Sequence, residues 1–131
     1  MIKNINHIGL AVKDLEKTIN FFKETYNAKV IWRRSFEAQK LESALISIGE
    51  AHFELSSSSD PENVINKFIN FKGEGIHHVS LEVENIDNSK EDLRNKGLKV
   101  MGEAKDQDFE VAFVHPQKNM GVLMELVELK K

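Results

Sequence analysis

The opening segment of the chain alternates apolar with polar or small residues, and the same pattern returns later in the sequence. Segment 5–12, which contains Ile8, Leu10 and Val12 on one side, lines up with segment 76–83 at a constant offset, from His7 to His78. Such alternation is typical of a strand with one side in the core. The same offset carries segment 53–55 onto segment 124–126. An ungapped match of this span indicates two copies of one unit.

Each copy is predicted to contain a strand, a helix and three further strands. In the first copy Asp14 is a good N-cap for a helix through about Tyr26, and Asn27 tolerates the left-handed conformation that ends it. In the second copy Gly97 is expected to stop the helix. The remaining predictions are strands over 29–36, 41–48 and 51–56 in copy one, and a strand over 76–83, a helix near 86–96 and strands near 98–103, 110–115 and 121–128 in copy two.

The predicted fold class is α+β, with two βαβββ modules forming a curved, partly open sheet of eight strands and helices packed outside. We expect one domain over 1–131, with module one at 1–56, a connector at 57–75 and module two at 76–131. The connector is predicted to hold a short helix with Pro61 at its first position. A half chain alone would leave a four-stranded sheet with one uncovered face.

Composition narrows the classes of function. The 131 residues carry a net charge of −3 from 18 basic and 21 acidic residues that are mixed along the chain, which argues against a nucleic-acid-binding surface. With no cysteine, disulfides and thiolate metal sites are excluded. No apolar run approaches the roughly 20 residues that cross a bilayer, and the N-terminus has no secretory pattern. We therefore expect no membrane partner and a cytoplasmic location.

Four polar residues oppose the core side of their strands at equivalent positions of the two copies. They are His7, Glu54, His78 and Glu125. Taken singly, a strand histidine is usually hydrogen-bonded and a strand glutamate usually faces solvent. Their joint placement at one repeat offset favours a shared metal site, because two imidazoles and two carboxylates suit one divalent ion of Co, Ni, Mn or Zn. Remaining coordination positions would be left to water or substrate.

Other conspicuous residues are given structural interpretations. Trp32 is predicted to be in the core, and Arg33 and Arg34 are assigned with nearby lysines to a solvated edge, with a role in binding substrate phosphates as the alternative. His77 is expected to pack on the side opposite to that of its neighbour His78. His115, which precedes a proline, is expected to order a turn.

The paired units and the four ligand positions resemble the vicinal oxygen chelate superfamily, which includes glyoxalase I, extradiol dioxygenases and bleomycin-resistance proteins. Within it, the chain is most similar to the methylmalonyl-CoA epimerases. The similarity covers nearly the whole chain, and the segments that carry it are His7-Ile8-Gly9-Leu10-Ala11-Val12-Lys13-Asp14-Leu15, Gly73-Glu74-Gly75-Ile76-His77-His78-Val79, Val114-His115-Pro116 and Gly121-Val122-Leu123-Met124-Glu125-Leu126.

This resemblance implies a metal-dependent isomerase that removes the proton next to the thioester of a small acyl-CoA substrate, with Glu125 as both ligand and base. It also implies a second base on the other side of the substrate, for which the family usually has a glutamate where this chain has Ala38. Glu37 and Glu42 are the nearby candidates. By analogy with the family a homodimer is expected, with the site either within one chain or shared between two.

Three other activities in the superfamily remain open. One is a glyoxalase I-like lyase that acts on a thiol-derived hemithioacetal by similar chemistry, and another is a bleomycin-resistance-type protein that binds its ligand without catalysis. A dioxygenase is disfavoured, because those enzymes typically use two histidines and one glutamate in longer chains.

Overall fold

The computed structural model describes residues 1–130, which form three α-helices and eight β-strands. The elements are β1 (Ile2–Ala11), α1 (Leu15–Tyr26), β2 (Lys29–Phe36), β3 (Leu41–Ile48), β4 (Ala51–Ser58), α2 (Val64–Lys72), β5 (Gly75–Val83), α3 (Ile86–Asn95), β6 (Val100–Lys105), β7 (Phe109–Val114) and β8 (Met124–Leu129). The strands form one hydrogen-bonded sheet in the order β2-β3-β4-β1-β5-β8-β7-β6. The βαβββ order occurs twice, which confirms the predicted α+β class and the duplication.

Residue contacts divide the chain into two compact units, which we call the first unit (residues 7–77) and the second unit (residues 1–6 and 78–131). The first residues of β1 belong to the second unit because they contact the end of β5. The carbonyl of Met1 accepts a hydrogen bond from the Glu84 amide at 3.1 Å, and Lys3 Nζ lies 3.3 Å from Glu82 Oε2.

The core of the first unit packs α1 against one face of its strands. Asp14 caps α1 by accepting a hydrogen bond from the Lys17 amide at 3.0 Å, and Asn27 ends it with φ of 58°, as the sequence predicted. Leu15 and Ile19 of α1 are buried in this core. Its buried members are Val12, Leu15, Ile19, Ala28, Ala44, Ile46 and Leu55.

The core of the second unit repeats this arrangement at equivalent positions. Its buried members are Val83, Ile86, Val100, Ala112, Val114 and Leu126. Three of these, Val83, Ile86 and Leu126, are the repeat equivalents of Val12, Leu15 and Leu55 in the first unit. The apolar positions that identified the repeat therefore build matching cores beneath α1 and α3.

The connector helix α2 begins later than the sequence predicted. Asn63, not the residue before Pro61, is the N-cap, and its side-chain oxygen accepts a hydrogen bond from the Ile65 amide at 2.9 Å. Asp60 Oδ1 accepts from the Glu62 amide at 3.0 Å, so Pro61 lies in a preceding turn. Capping by asparagine outweighs the preference of proline for the first turn here.

The strands β6 and β8 of the second copy also begin later than predicted, at Val100 and Met124. The residues before Met124 form a turn in which Met120 and Gly121 have positive φ values of 57° and 79°, a backbone conformation that strands do not adopt. No helix within residues 1–130 is long and apolar enough to span a bilayer.

The helix α2 packs on the face of the first unit opposite to that covered by α1, which the sequence did not indicate. Ala11 forms a cluster with Ile65 and Ile69 of α2, and Leu41 of β3 packs against it. Ala11 alternates with the core residue Val12 along the chain, so its side chain faces away from α1. This second face is the one that carries His7.

Candidate functional site

His7 and Glu54 lie side by side on neighbouring strands of the first unit. The parallel register of β1 and β4 places Gly9 opposite Glu54, and His7 is two residues from Gly9 on the same face. His7 Nε2 lies 3.3 Å from Glu54 Oε1. The imidazole is buried, with 8% of its side chain exposed, while 21% of the Glu54 side chain remains accessible.

The second unit contains an equivalent pair, His78 and Glu125. The register of β5 and β8 places Ser80 opposite Glu125, and His78 Nε2 lies 4.0 Å from Glu125 Oε1. Phe113 of β7 lies opposite Glu125 and packs its ring perpendicular to that of His78, with 5.8 Å between the centroids. Each unit thus places one histidine and one glutamate of the predicted ligand set beside each other.

The residues that could hold a metal ion include His7, Glu54 and His78, because one ligand atom of each lies within 4.8 Å of the others. Ligand atoms bound tetrahedrally at about 2.0–2.2 Å to one ion are roughly 3.3–3.6 Å apart, and the 3.3 Å separation of His7 and Glu54 fits that geometry. A direct ionic hydrogen bond would be shorter, at about 2.7–2.9 Å. Glu125 lies outside this group of three and adjoins it through His78.

A bulge in β2 determines which residues share the face of Glu54. The register of β2 against β3 shifts between Val30 and Trp32, where β2 accommodates an extra residue. Trp32 lies opposite Leu45, and Leu45 lies opposite Glu54. Residues paired in this way share a face, so the bulge turns Trp32, and with it Arg34, toward the side of Glu54.

This arrangement corrects the predictions for Trp32 and Arg34. Trp32 is half-buried and lies outside the buried core cluster under α1. The guanidinium carbon of Arg34 lies 4.5 Å from the centre of a Trp32 ring, in a cation–π contact. Only Arg33 belongs to the opposite face, where its Nη2 donates a hydrogen bond to Glu16 Oε1 of α1 at 2.9 Å. The sequence did contain a signal of this bulge, because regular alternation along β2 would have placed the charged side chain of Arg34 toward the core.

The two candidates for a second base lie in or beside the connection from β2 to β3. Glu37 is exposed in a 3₁₀ turn over Glu37–Gln39, and Glu42 lies opposite Ser57, which places it on the face of β3 away from Glu54. Both line a groove of about 640 Å³ beside the start of α1. The other residues lining this groove are Lys13, Asp14, Leu15, Glu16, Ser35, Phe36, Lys40, Leu41, Ser57, Ser58 and Ser59.

The two remaining histidines of interest have the structural roles that the sequence predicted. His77 packs edge-to-face against Phe68 of α2 with 4.9 Å between the ring centroids, and burial lowers the pKa of its imidazole. His115 caps a 3₁₀ turn, where its Nδ1 accepts a hydrogen bond from the Gln117 amide at 3.0 Å.

Comparisons with known proteins show relatives that are similar to this chain in sequence and in fold. The chain is 32% identical over 126 residues to the mitochondrial methylmalonyl-CoA epimerase of Mus musculus, covering 93% of this chain and 71% of that protein. A variant of the Streptomyces coelicolor methylmalonyl-CoA epimerase in complex with 2-nitronate-propionyl-CoA has a TM-score of 0.91 at 28% identity, covering 100% of both chains. A methylmalonyl-CoA epimerase in complex with methylmalonyl-CoA and NH₄⁺ has a TM-score of 0.90 at 29% identity, covering 98% of this chain and 96% of that chain.

These similarities confirm the prediction that methylmalonyl-CoA epimerases are relatives of this chain. The family model described as the glyoxalase/bleomycin resistance protein/dioxygenase superfamily matches residues 6–119. The match begins within β1 and ends in the turn before β8, so it spans the first βαβββ module and the second module as far as β7. The chain belongs to the glyoxalase/bleomycin resistance protein/dioxygenase superfamily.

Proposed function

We propose that this protein is a metal-dependent epimerase of a 2-carboxyacyl-CoA thioester, similar to methylmalonyl-CoA. The observation that carries the proposal is the cluster of His7, Glu54 and His78 ligand atoms within 4.8 Å of one another. Glu125 completes the proposed ligand set through its position beside His78. The relatives named above, whose ligands are methylmalonyl-CoA and 2-nitronate-propionyl-CoA, support the choice of substrate class.

The proposed ligands match the chemistry of the reaction. Two neutral imidazoles and two carboxylates would hold one divalent ion among Co, Ni, Mn and Zn, and its charge of +2 would offset both carboxylates. When bound, the ion would supply Lewis-acid stabilisation of the negative charge that develops on the thioester oxygen. The near-complete burial of His7 and His78 keeps these imidazoles in fixed orientations.

The proton transfer is assigned to Glu125. Its carboxylate accepts the proton from the carbon between the thioester and the carboxylate of the substrate, and the electron pair of that C–H bond is delocalised toward the thioester oxygen. Return of a proton to the opposite side of the planar carbon inverts its configuration.

The donor on the opposite side is assigned to Glu37 or Glu42. Both line the same groove of the first unit, but Glu42 also lies near the positive charge of Arg33 on the face away from Glu54. Glu37 lies in a 3₁₀ turn, where strand alternation no longer fixes the direction of its side chain. Glu37→Gln and Glu42→Gln are therefore the variants to compare, and Ala38→Glu should raise the rate if a missing base limits it.

Metal analysis and solvent exchange test the proposal together. Protein purified without chelator should contain about one divalent ion per chain, and in D₂O it should incorporate deuterium into methylmalonyl-CoA. Glu125→Gln should abolish exchange and weaken metal binding. Glu50→Gln, at an exposed turn position between β3 and β4, is the matched control and should retain both properties.

The outcomes separate the alternative activities. A protein that binds metal, exchanges no deuterium into methylmalonyl-CoA and turns over a methylglyoxal–thiol hemithioacetal would be a glyoxalase I-like lyase and not an epimerase. Protein that binds no metal and still binds an organic ligand would indicate a bleomycin-resistance-type binding protein. Either result contradicts the proposal.

The homodimer and the cytoplasmic location also stay predictions. Analytical ultracentrifugation measures the first, and fractionation of the source cells measures the second. Mixing two inactive variants, Glu54→Gln and Glu125→Gln, would regain activity only if one site draws ligands from two chains.

A further inference from the structure

We propose that Arg34 is the residue that binds an oxyanion of the acyl-CoA ligand, an inference that rests on the proposed function. The bulge in β2 places Arg34 on the face of Glu54, and the guanidinium of Arg34 stacks on Trp32. This side chain is half-buried and lies away from the ion pair that its neighbour Arg33 makes with Glu16.

The register gives the distance between this cation and the proposed metal ligands. Trp32, Leu45 and Glu54 lie opposite one another on the adjacent strands β2, β3 and β4. Adjacent strands are about 4.8 Å apart, so Trp32 and Glu54 are separated by roughly 10 Å along this row. Because its guanidinium lies over Trp32, Arg34 is aimed into the row of Glu54. A ligand held at Glu54 can therefore reach Arg34 by extending along this row over about two strand spacings.

The neighbouring row of side chains gives the direction in which the ligand extends. Arg34 lies opposite Ser43, whose hydroxyl is hydrogen-bonded to that of Ser56 at 2.9 Å, and Ser56 lies opposite Ala11. The helix α2 covers the Ala11 end of this row through Ile65 and Ile69. Arg34 lies at the other end, on β2, so a ligand that runs along this row away from α2 meets its guanidinium.

The chemistry of the face favours a cation at this position. The proposed divalent ion only offsets the charges of the two carboxylates that hold it, so it leaves no net positive charge for an acyl-CoA, whose carboxylate and phosphates are anionic at neutral pH. A guanidinium can donate two parallel hydrogen bonds to a carboxylate or phosphate, and stacking on an aromatic ring fixes its plane beforehand. A lysine at this position would keep the positive charge but would lack the planar pair of N–H donors that a guanidinium offers. The shared chemistry is therefore an oxyanion, either the carboxylate of the acyl group or a phosphate of the coenzyme.

Binding measurements on Arg34 variants test this assignment. Arg34→Gln is expected to weaken methylmalonyl-CoA binding, measured by titration calorimetry, by roughly 10- to 100-fold, as for the loss of hydrogen bonds to a charged group. Arg34→Lys should recover part of that loss. Arg33→Gln removes the same charge from the adjacent residue on the opposite face and should bind like the wild-type protein.

The fluorescence of Trp32 gives a readout that does not depend on activity. The chain contains one tryptophan, so the emission comes from the ring on which Arg34 stacks. Methylmalonyl-CoA should change this emission in the wild-type protein and in Arg33→Gln, and a ligand that leaves it unchanged would overturn the assignment.

Two truncated ligands identify which oxyanion is bound. If Arg34 binds the acyl carboxylate, Arg34→Gln should weaken the binding of methylmalonyl-pantetheine as much as that of methylmalonyl-CoA. The binding of propionyl-CoA, which lacks this carboxylate, should be unaffected. If Arg34 binds a phosphate, Arg34→Gln should still weaken the binding of propionyl-CoA. It should then have no effect on methylmalonyl-pantetheine, which carries no phosphate. Equal affinities of wild-type and Arg34→Gln for all three ligands would overturn the inference. That result would leave the proposed function standing if the wild-type protein still exchanges deuterium, whereas a wild-type protein that binds none of the ligands would refute both.

Discussion

Replacing Leu55 by alanine tests whether the core and the candidate metal site depend on opposite faces of one strand. Leu55 follows Glu54 on β4, is fully buried, and packs in the core beneath α1. Leucine-to-alanine changes at such positions cost about 3 kcal/mol, from lost burial and the cavity that remains. For 131 residues the entropy of unfolding is roughly 0.28 kcal/mol per kelvin, so the melting temperature should fall by about 11 °C.

The assays are calorimetric melting for stability and metal titration for the site. Because the side chain of Leu55 points away from Glu54, the metal affinity of Leu55→Ala should match that of the wild-type protein at temperatures well below its melting point. Leu129→Ala is the matched control, since Leu129 is 47% exposed at the end of β8 and the change should cost less than about 0.5 kcal/mol. A loss below about 1 kcal/mol in Leu55→Ala, or an equal loss in the control, would refute this reasoning.

Three further predictions concern metal binding at Glu54, the buried hydroxyl of Ser80 and the ionised carboxyl of Glu103. Adding a divalent ion at 100 times its Kd should stabilise the protein by about 2.7 kcal/mol in thermal melts, and Glu54→Gln should remove most of that gain at the same concentration; an unchanged gain would exclude Glu54 as a ligand. Ser80 has a buried hydroxyl without a hydrogen-bond partner in residues 1–130, so Ser80→Ala should be about 1 kcal/mol more stable in urea unfolding, whereas a comparable loss of stability would contradict the structure. Hydrogen bonds from Lys90 and Arg94 lower the pKa of Glu103 from its ordinary 4.5, so the stability from this ionised carboxyl is present above that value and is lost as the pH falls through the lowered pKa. Glu103→Gln should therefore show a smaller loss of stability on acidification, measured by melting between pH 6 and pH 2.

The duplicated pattern allowed much of the architecture to be predicted. Alternation around His7 and His78 located the inner strands, and the matching core positions Leu55 and Leu126 followed from the same offset. Capping residues with strong local preferences, such as Asp14, fixed one helix start within a residue. The start of α2 was misplaced because Asp60, which precedes Pro61, and Asn63 are both good local candidates for the N-cap, and side-chain geometry decides between them.

The sequence by itself determined that each copy holds a histidine and a glutamate on the side of its strands away from the core, because strand alternation is a local property. Only the tertiary structure decided which other residues share that side. A one-residue bulge in β2 reverses alternation, since each extra residue turns all later side chains to the other face, and so it moves Trp32 and Arg34 to the face of Glu54. Likewise, packing of α2 on Ala11 depends on long-range contacts that local periodicity does not contain.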